Sequence, residues 1–140
     1  MKILIVDGQG GGIGRQLVEA LKREGERDIF CVGTNAIATS AMLRAGAARA
    51  ATGENAVAVA CREAEVIAGP VGIVIADALL GEVTPRMAAA VGQSLARKVL
   101  IPVNQCGNFV VGVPAGATTA QLAALAVEAI LRPGAGDAKT

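Results

Sequence analysis

The first chemistry this chain offers is a chemistry of the backbone. Asp7-Gly8-Gln9-Gly10-Gly11-Gly12-Ile13-Gly14 follows the apolar run Ile3-Leu4-Ile5-Val6 and leads into a helical pattern. A glycine loop entering a helix leaves the first N–H groups of that helix without intrahelical acceptors. Those donors and the helix dipole favour an anion, commonly a phosphate. Against the pattern G-x-G-x-x-G, Gly8 and Gly10 take the first two places and Ile13 falls in the third. Against G-x-x-x-G-I-G, Gly8, Gly12, Ile13 and Gly14 fit every place. The competing reading is a tight strand-to-helix turn that merely packs closely; the strand before and the helix after favour phosphate binding. A carboxylate at Asp7 would repel a phosphate. Its expected role is to accept hydrogen bonds from loop N–H groups and fix the turn, ahead of any metal-linked role.

Other polar groups stand where further strands should end. Thr34 and Asn35 follow the second strand, where a dinucleotide site has an acid for the ribose diol. With Thr34 and Asn35 there, NAD is less favoured than a phosphorylated or shorter nucleotide such as NADP or ATP; Asn35 reads equally well as a helix N-cap. Gly53, Glu54 and Asn55 form the next polar break, followed by Gly69-Pro70 and then by Asn104 in Asn104-Gln105-Cys106-Gly107. Glu54 fits a ribose or metal contact, but an acid at a helix start is the commoner explanation. Cys106 lies on a loop at the same end, with no His to activate it. The expected binding residues are therefore Asp7, Gly8, Gln9, Gly10, Gly11, Gly12, Ile13, Gly14, Thr34, Asn35, Gly53, Glu54, Asn55, Gly69, Pro70 and Asn104. No catalytic residue is assigned, and a small enzyme using Asp7, Glu54, Asn104 or Cys106 is the alternative, as is a structural or interaction protein without a ligand.

The elements that must position these groups alternate. Ile13, Leu17, Val18 and Leu21 recur at helical spacing. Strands are expected at Asp28–Gly33, Ala47–Ala51, Glu65–Gly69, Val99–Val103 and Phe109–Val113, after the first at Ile3–Val6. Helices are expected at Ala36–Ala45, Ala56–Arg62, Val71–Leu80, Pro85–Arg97 and from Thr118-Thr119 to Arg132. The second of these, Ala56–Arg62, alternates in part like a strand. Thr84-Pro85 is a hydroxyl cap followed by Pro at the first helical position. The connection Asn104–Asn108 is too short for a parallel crossover, so the last two strands should form an antiparallel edge hairpin. The fold expected is α/β, a Rossmann-like doubly wound and mostly parallel sheet with that C-terminal hairpin. Residues 1–133 form one domain and 134–140 a frayed tail.

Composition narrows the partners. Hydrophobic residues make up 53% of the 140 and charged residues 18%, so apolar surface is expected between subunits. Val71–Leu80, carrying only Asp77, and the Ala-rich helix Thr119–Leu131 lack a wide polar face. A homodimer is favoured, with Ala76, Ala78, Ala123 and Ala124 allowing close packing. Net charge is +1 and no basic patch appears, which speaks against nucleic acid. No apolar run reaches membrane-spanning length. Cys31, Cys61 and Cys106 are odd in number and widely spaced, which suits a reducing cytoplasm. Met1-Lys2 leads straight into a strand, so no signal peptide is expected.

In its G-x-x-x-G-I-G loop the chain resembles the short-chain dehydrogenase/reductase family, whose loop holds a cofactor pyrophosphate. The resemblance covers the first strand, loop and helix. The catalytic Tyr of that family has no counterpart, since the chain contains no Tyr, and Asp7 stands where that family usually has a small hydroxyl residue. Over most of its length the chain resembles a bacterial family known as domain of unknown function 3842. The matching stretches are Asp7–Gly14, Gly33-Thr34-Asn35-Ala36, Ala51–Ala56, Gly69-Pro70-Val71-Gly72-Ile73 and Ile101-Pro102-Val103-Asn104. That resemblance implies a Rossmann-like fold and no catalytic assignment.

Overall fold

A computed structural model describes residues 1–103 and 107–134. Five strands, β1 (Ile3–Asp7), β2 (Ile29–Gly33), β3 (Arg49–Thr52), β4 (Val66–Pro70) and β5 (Arg97–Ile101), form one sheet in the order β3-β2-β1-β4-β5. Every pairing is parallel. The helices are α1 (Gly12–Arg23), α2 (Ala36–Ala45), α3 (Glu54–Ala60), α4 (Pro85–Gln93) and α5 (Thr119–Leu131).

A parallel sheet covered on both faces needs apolar residues at consecutive strand positions, not alternate ones. Ile3-Leu4-Ile5-Val6 supplies them, and all four are buried. Ile3 and Ile5 share a core with Leu17, Val18 and Leu21 of α1, Met42 of α2 and Ala126, Val127 and Ile130 of α5. Leu4 and Val6 face the other layer, with Val57 and Ala60 of α3 and Met87 and Val91 of α4. The register pairs Asp7 with Gly33 and Gly33 with Thr52, so three strands end level with one another. The chain reverses its direction of travel across the sheet between β1 and β4, which is where open α/β sheets have their crevice.

Two expected elements are corrected. The antiparallel edge hairpin does not form: β5 runs parallel to β4, and Phe109–Val113 is turn and irregular chain. Gly112 has a φ of 90°, incompatible with an extended strand, and Phe109 and Val111 are exposed. Apolar composition had imitated a strand with no partner to bury it. The apolar helix at Val71–Leu80 is also absent. A 3-10 turn covers Val71–Val74, and the chain then forms a strap reaching to Thr84. Asp77, Leu79, Leu80 and Gly81 all have positive φ. Asp77 is therefore an exposed turn residue, its N–H donating to the Val83 carbonyl at 2.7 Å.

Smaller differences lie at element ends. β5 begins at Arg97 and α4 stops at Gln93, so the expected helix from Pro85 is four residues shorter at its C-terminus. α3 takes the helical form at the ambiguous segment and starts two residues early, at Glu54. Thr84 caps α4, accepting from Met87 N–H at 3.1 Å. Thr118 and Gln121 form a reciprocal capping box at the start of α5. Asn104 and Cys106, with the end of the expected tail from residue 135, lie outside the described residues. Among the described residues no helix is long and apolar enough to cross a membrane.

Candidate functional site

The glycine loop sits at the carboxyl end of β1 and opens α1, as the sequence places it. Its glycines divide by cause. Gly11 has a φ of 72°, and a side chain there would strike the backbone of Ala38 in α2. At Gly8 an added methyl would overlap Thr34, Leu79 and Glu82. Gly14 lies against Met42 and Asp7. Packing thus explains these three. Gly10 and Gly12 are different: neither has positive φ, and a Cβ at either would meet nothing within 4 Å. Both are exposed.

Asp7 fixes the loop from beneath. It is buried, and its Oδ1 accepts from Gly8 N–H at 2.8 Å while its Oδ2 accepts from Gly14 N–H at 2.7 Å. Burial raises the Asp7 pKa above its ordinary value. The N–H donors of Gly14, Gly8 and Ile13 pull the other way and the charge of Glu82 adds to the rise. Desolvation wins.

Above the loop stands a residue that sequence reasoning missed. Glu82, half-buried on the strap, accepts through Oε1 from Gln9 N–H at 2.9 Å, Thr34 Oγ1 at 2.7 Å and Asn35 Nδ2 at 2.8 Å. Burial alone would raise its carboxyl pKa, but those three donors outweigh it and hold the group below the usual carboxylate value. Asn35 serves twice, since its Nδ2 also donates to Gln9 O at 3.0 Å while its Oδ1 caps α2 through Ala38 N–H at 2.9 Å. The short polar break Gly81-Glu82-Val83-Thr84 was the available signal for Glu82, hidden behind the supposed apolar helix.

On the β4 side of the loop lies a crevice of about 290 Å³, lined by Asp7–Ile13, Gln16, Leu79, Val103 and Thr119. That volume approaches the lower end of ligand sites, roughly 300–1,000 Å³. Gln16, Leu79 and Thr119 had not been anticipated either. They come from the second turn of α1, the strap and the start of α5, which only the assembled sheet brings together.

The structure gathers Asp7–Gly14 with Thr34 and Asn35. The remaining described candidates, Gly53, Glu54, Asn55, Gly69 and Pro70, are not among the residues that line the crevice. Glu54 accepts from Thr84 Oγ1 at 2.6 Å and pairs with Arg86 at 3.5 Å; Asn55 accepts from Arg86 at 3.3 Å. These tie the start of α3 to the start of α4, with Gly53 (φ 101°) as the turn. Gly69 packs against Val6 of β1, and Pro70 is buried at the end of β4. Cys31 and Cys61 are buried free thiols. Burial pushes Cys31 up to about 12, helped by the charge of Asp7. Burial pushes Cys61 to about 11 despite Lys98.

Neither a curated protein nor a solved structure matches the chain. A family model described as domain of unknown function DUF3842 matches residues 2–133. With nearly the whole described fold inside that match, from the first strand through α5, the chain belongs to the DUF3842 family.

Proposed function

We propose that the chain is a nucleotide- or dinucleotide-binding domain of Rossmann-like type, with a phosphate seated over Gly10–Gly12 at the start of α1. One observation carries this reading. Gly10 and Gly12 are glycines that neither backbone conformation nor packing requires, and both line the crevice at the reversal of strand order. Glycine at such a place lets a ligand come close to the backbone. The N–H groups of Gly10 and Gly12 are not among the donors taken up by Asp7, Gly8 and Glu82. The parallel order β3-β2-β1-β4-β5 supports the same reading, as it is the order of a dinucleotide-binding sheet as far as its fifth strand.

A second reading has its own observation. Asp7 meets the N-terminus of α1 from inside and Glu82 meets Gln9 from outside, so the loop is partly satisfied by the protein's own carboxylates. On that reading the domain is a ligand-free frame.

Calorimetry with AMP, ATP, ADP-ribose, NAD and NADP separates the two. Binding of at least one, abolished in Gly12→Val with an unchanged melting temperature, is the expected result. The open space around Gly12 makes the fold tolerant of that side chain. A folded wild-type chain that binds none of the panel supports the frame and rejects the nucleotide site.

A further inference from the structure

In a doubly wound sheet the ribose beside a loop-bound pyrophosphate lies over the end of the second strand, where an acid accepts from its hydroxyls. The end of β2 here supplies Gly33, Thr34 and Asn35, and no acid. A carboxylate nevertheless stands there. The strap carries Glu82 across the sheet to Thr34, 48 residues earlier in the chain. Its three hydrogen bonds, from Gln9 N–H, Thr34 and Asn35, all end on Oε1. Among the described residues no hydrogen bond ends on Oε2. Three donors fix the orientation of the group and leave one acceptor oxygen for a ligand.

The surrounding chain bears on which ligand that would be. Residues 3–14, 29–43 and 66–85, which include the loop, the end of β2 with the start of α2, and the strap, contain neither Lys nor Arg; of the residues that follow them, Arg15 pairs with Glu19, Arg86 pairs with Glu54, and Arg44 lies in the last turn of α2. A phosphate on the ribose would meet a carboxylate with no cation from these segments to offset it. A hydroxyl in the same place would donate to it.

Resting on the phosphate-loop reading above, we propose that Glu82 is the ribose-binding carboxylate of this site, selecting an adenine dinucleotide or ADP-ribose with a free 2′-hydroxyl over its 2′-phosphorylated form. This reverses the preference that Thr34 and Asn35 suggest when read alone. The acid is present at the end of β2, contributed from the far side of the sheet.

The test compares NAD with NADP, and ADP-ribose with its 2′-phosphate, by calorimetry on the full chain. Wild type is expected to prefer the unphosphorylated member by at least about tenfold, the scale of a like-charge clash. Glu82→Gln, which keeps the side-chain shape and one acceptor oxygen, should bring each ratio close to one, by weakening NAD and by relieving the repulsion of NADP. Equal affinity of wild type for both members overturns this assignment and leaves the phosphate loop standing. A ratio unmoved in Glu82→Gln does the same. Tighter binding of both members by Glu82→Gln also overturns it, because the carboxylate would then be an occupant of the place and not a contact to the ligand. No binding of any member by wild type overturns the loop and this assignment together. Should Glu82→Gln fail to fold, the wild-type ratios still decide.

Discussion

Asp7 and Glu82 hold the same loop under opposite electrostatic conditions. Asp7 is buried and its pKa is raised; Glu82 is half-buried, bonded by three donors, and its pKa is lowered. Their effects on stability therefore run in opposite directions with pH. An acid whose folded pKa is raised contributes stability that is complete below its unfolded value, near 3.8 for Asp7, and lost as pH rises through the folded value. The Glu82 contribution is present above its unfolded value, near 4.5, and lost as pH falls through its lowered folded value. Urea denaturation across pH should show the advantage of wild type over Asp7→Asn falling as pH rises above 3.8. A difference that stays flat with pH would refute the assignment of that slope to Asp7. At the low end of the range Asp7→Asn should cost about 1–3 kcal/mol, because the amide Nδ2 faces a loop N–H and one acceptor is lost.

The strap from Ile75 to Val83 is the element that most affects the site. It is held by its own hydrogen bonds, Gly81 N–H to Asp77 O at 3.0 Å and Val83 N–H to Ala78 O at 3.1 Å. It is anchored by Leu79, which is 4% exposed and stands against Gly8, whereas Leu80 beside it is 97% exposed. Both have left-handed φ, 56° and 58°, a conformation costing roughly 1–2 kcal/mol for a side chain with a Cβ. Leu79 offsets that cost by burial; Leu80 does not. Leu79→Ala should lose about 2–4 kcal/mol of stability. Leu80→Gly should raise it by up to about 1 kcal/mol, after the extra freedom glycine gives the unfolded chain. Thermal melts of the two variants check both signs, and a destabilised Leu80→Gly would contradict the strain argument.

At the scale of the molecule, the apolar excess is only partly hidden. Ile73, Ala78 and Leu79 are covered within the chain, so the Val71–Leu80 segment owes its composition largely to the core. On the opposite layer Leu125 of α5 is 62% exposed. It lines a groove of about 330 Å³ between α5 and β5, an edge strand, with Val99, Pro102 and Val111 among its other walls. Exposed apolar faces of this kind favour self-association. The chain is expected to dimerise through this face, and Leu125→Glu to yield a folded monomer. Leu79→Glu, placing a charge in the core, should misfold. Sedimentation of the wild type as a monomer at micromolar concentration would dispose of the dimer.

Local rules alone determined the glycine loop, the five helices and the five strands of the sheet, because each rests on short-range signals. Continuous apolar runs make buried strands, the Ile13–Leu21 spacing makes an amphipathic helix, and Asn35, Thr84 and Thr118 cap the helices they precede. The role of Asp7 in fixing the turn was legible for the same reason, since its partners are one and seven residues away. Tertiary structure decided the rest. Apolar composition cannot tell a helix from a strap that is buried from outside, nor a strand from an exposed turn, so Val71–Leu80 and Phe109–Val113 were misread. Nor does any local pattern reveal that Glu82 meets Asn35 across 47 residues. That contact exists because the sheet places β4 and β2 on either side of β1 and lets the strap cross the end of the central strand.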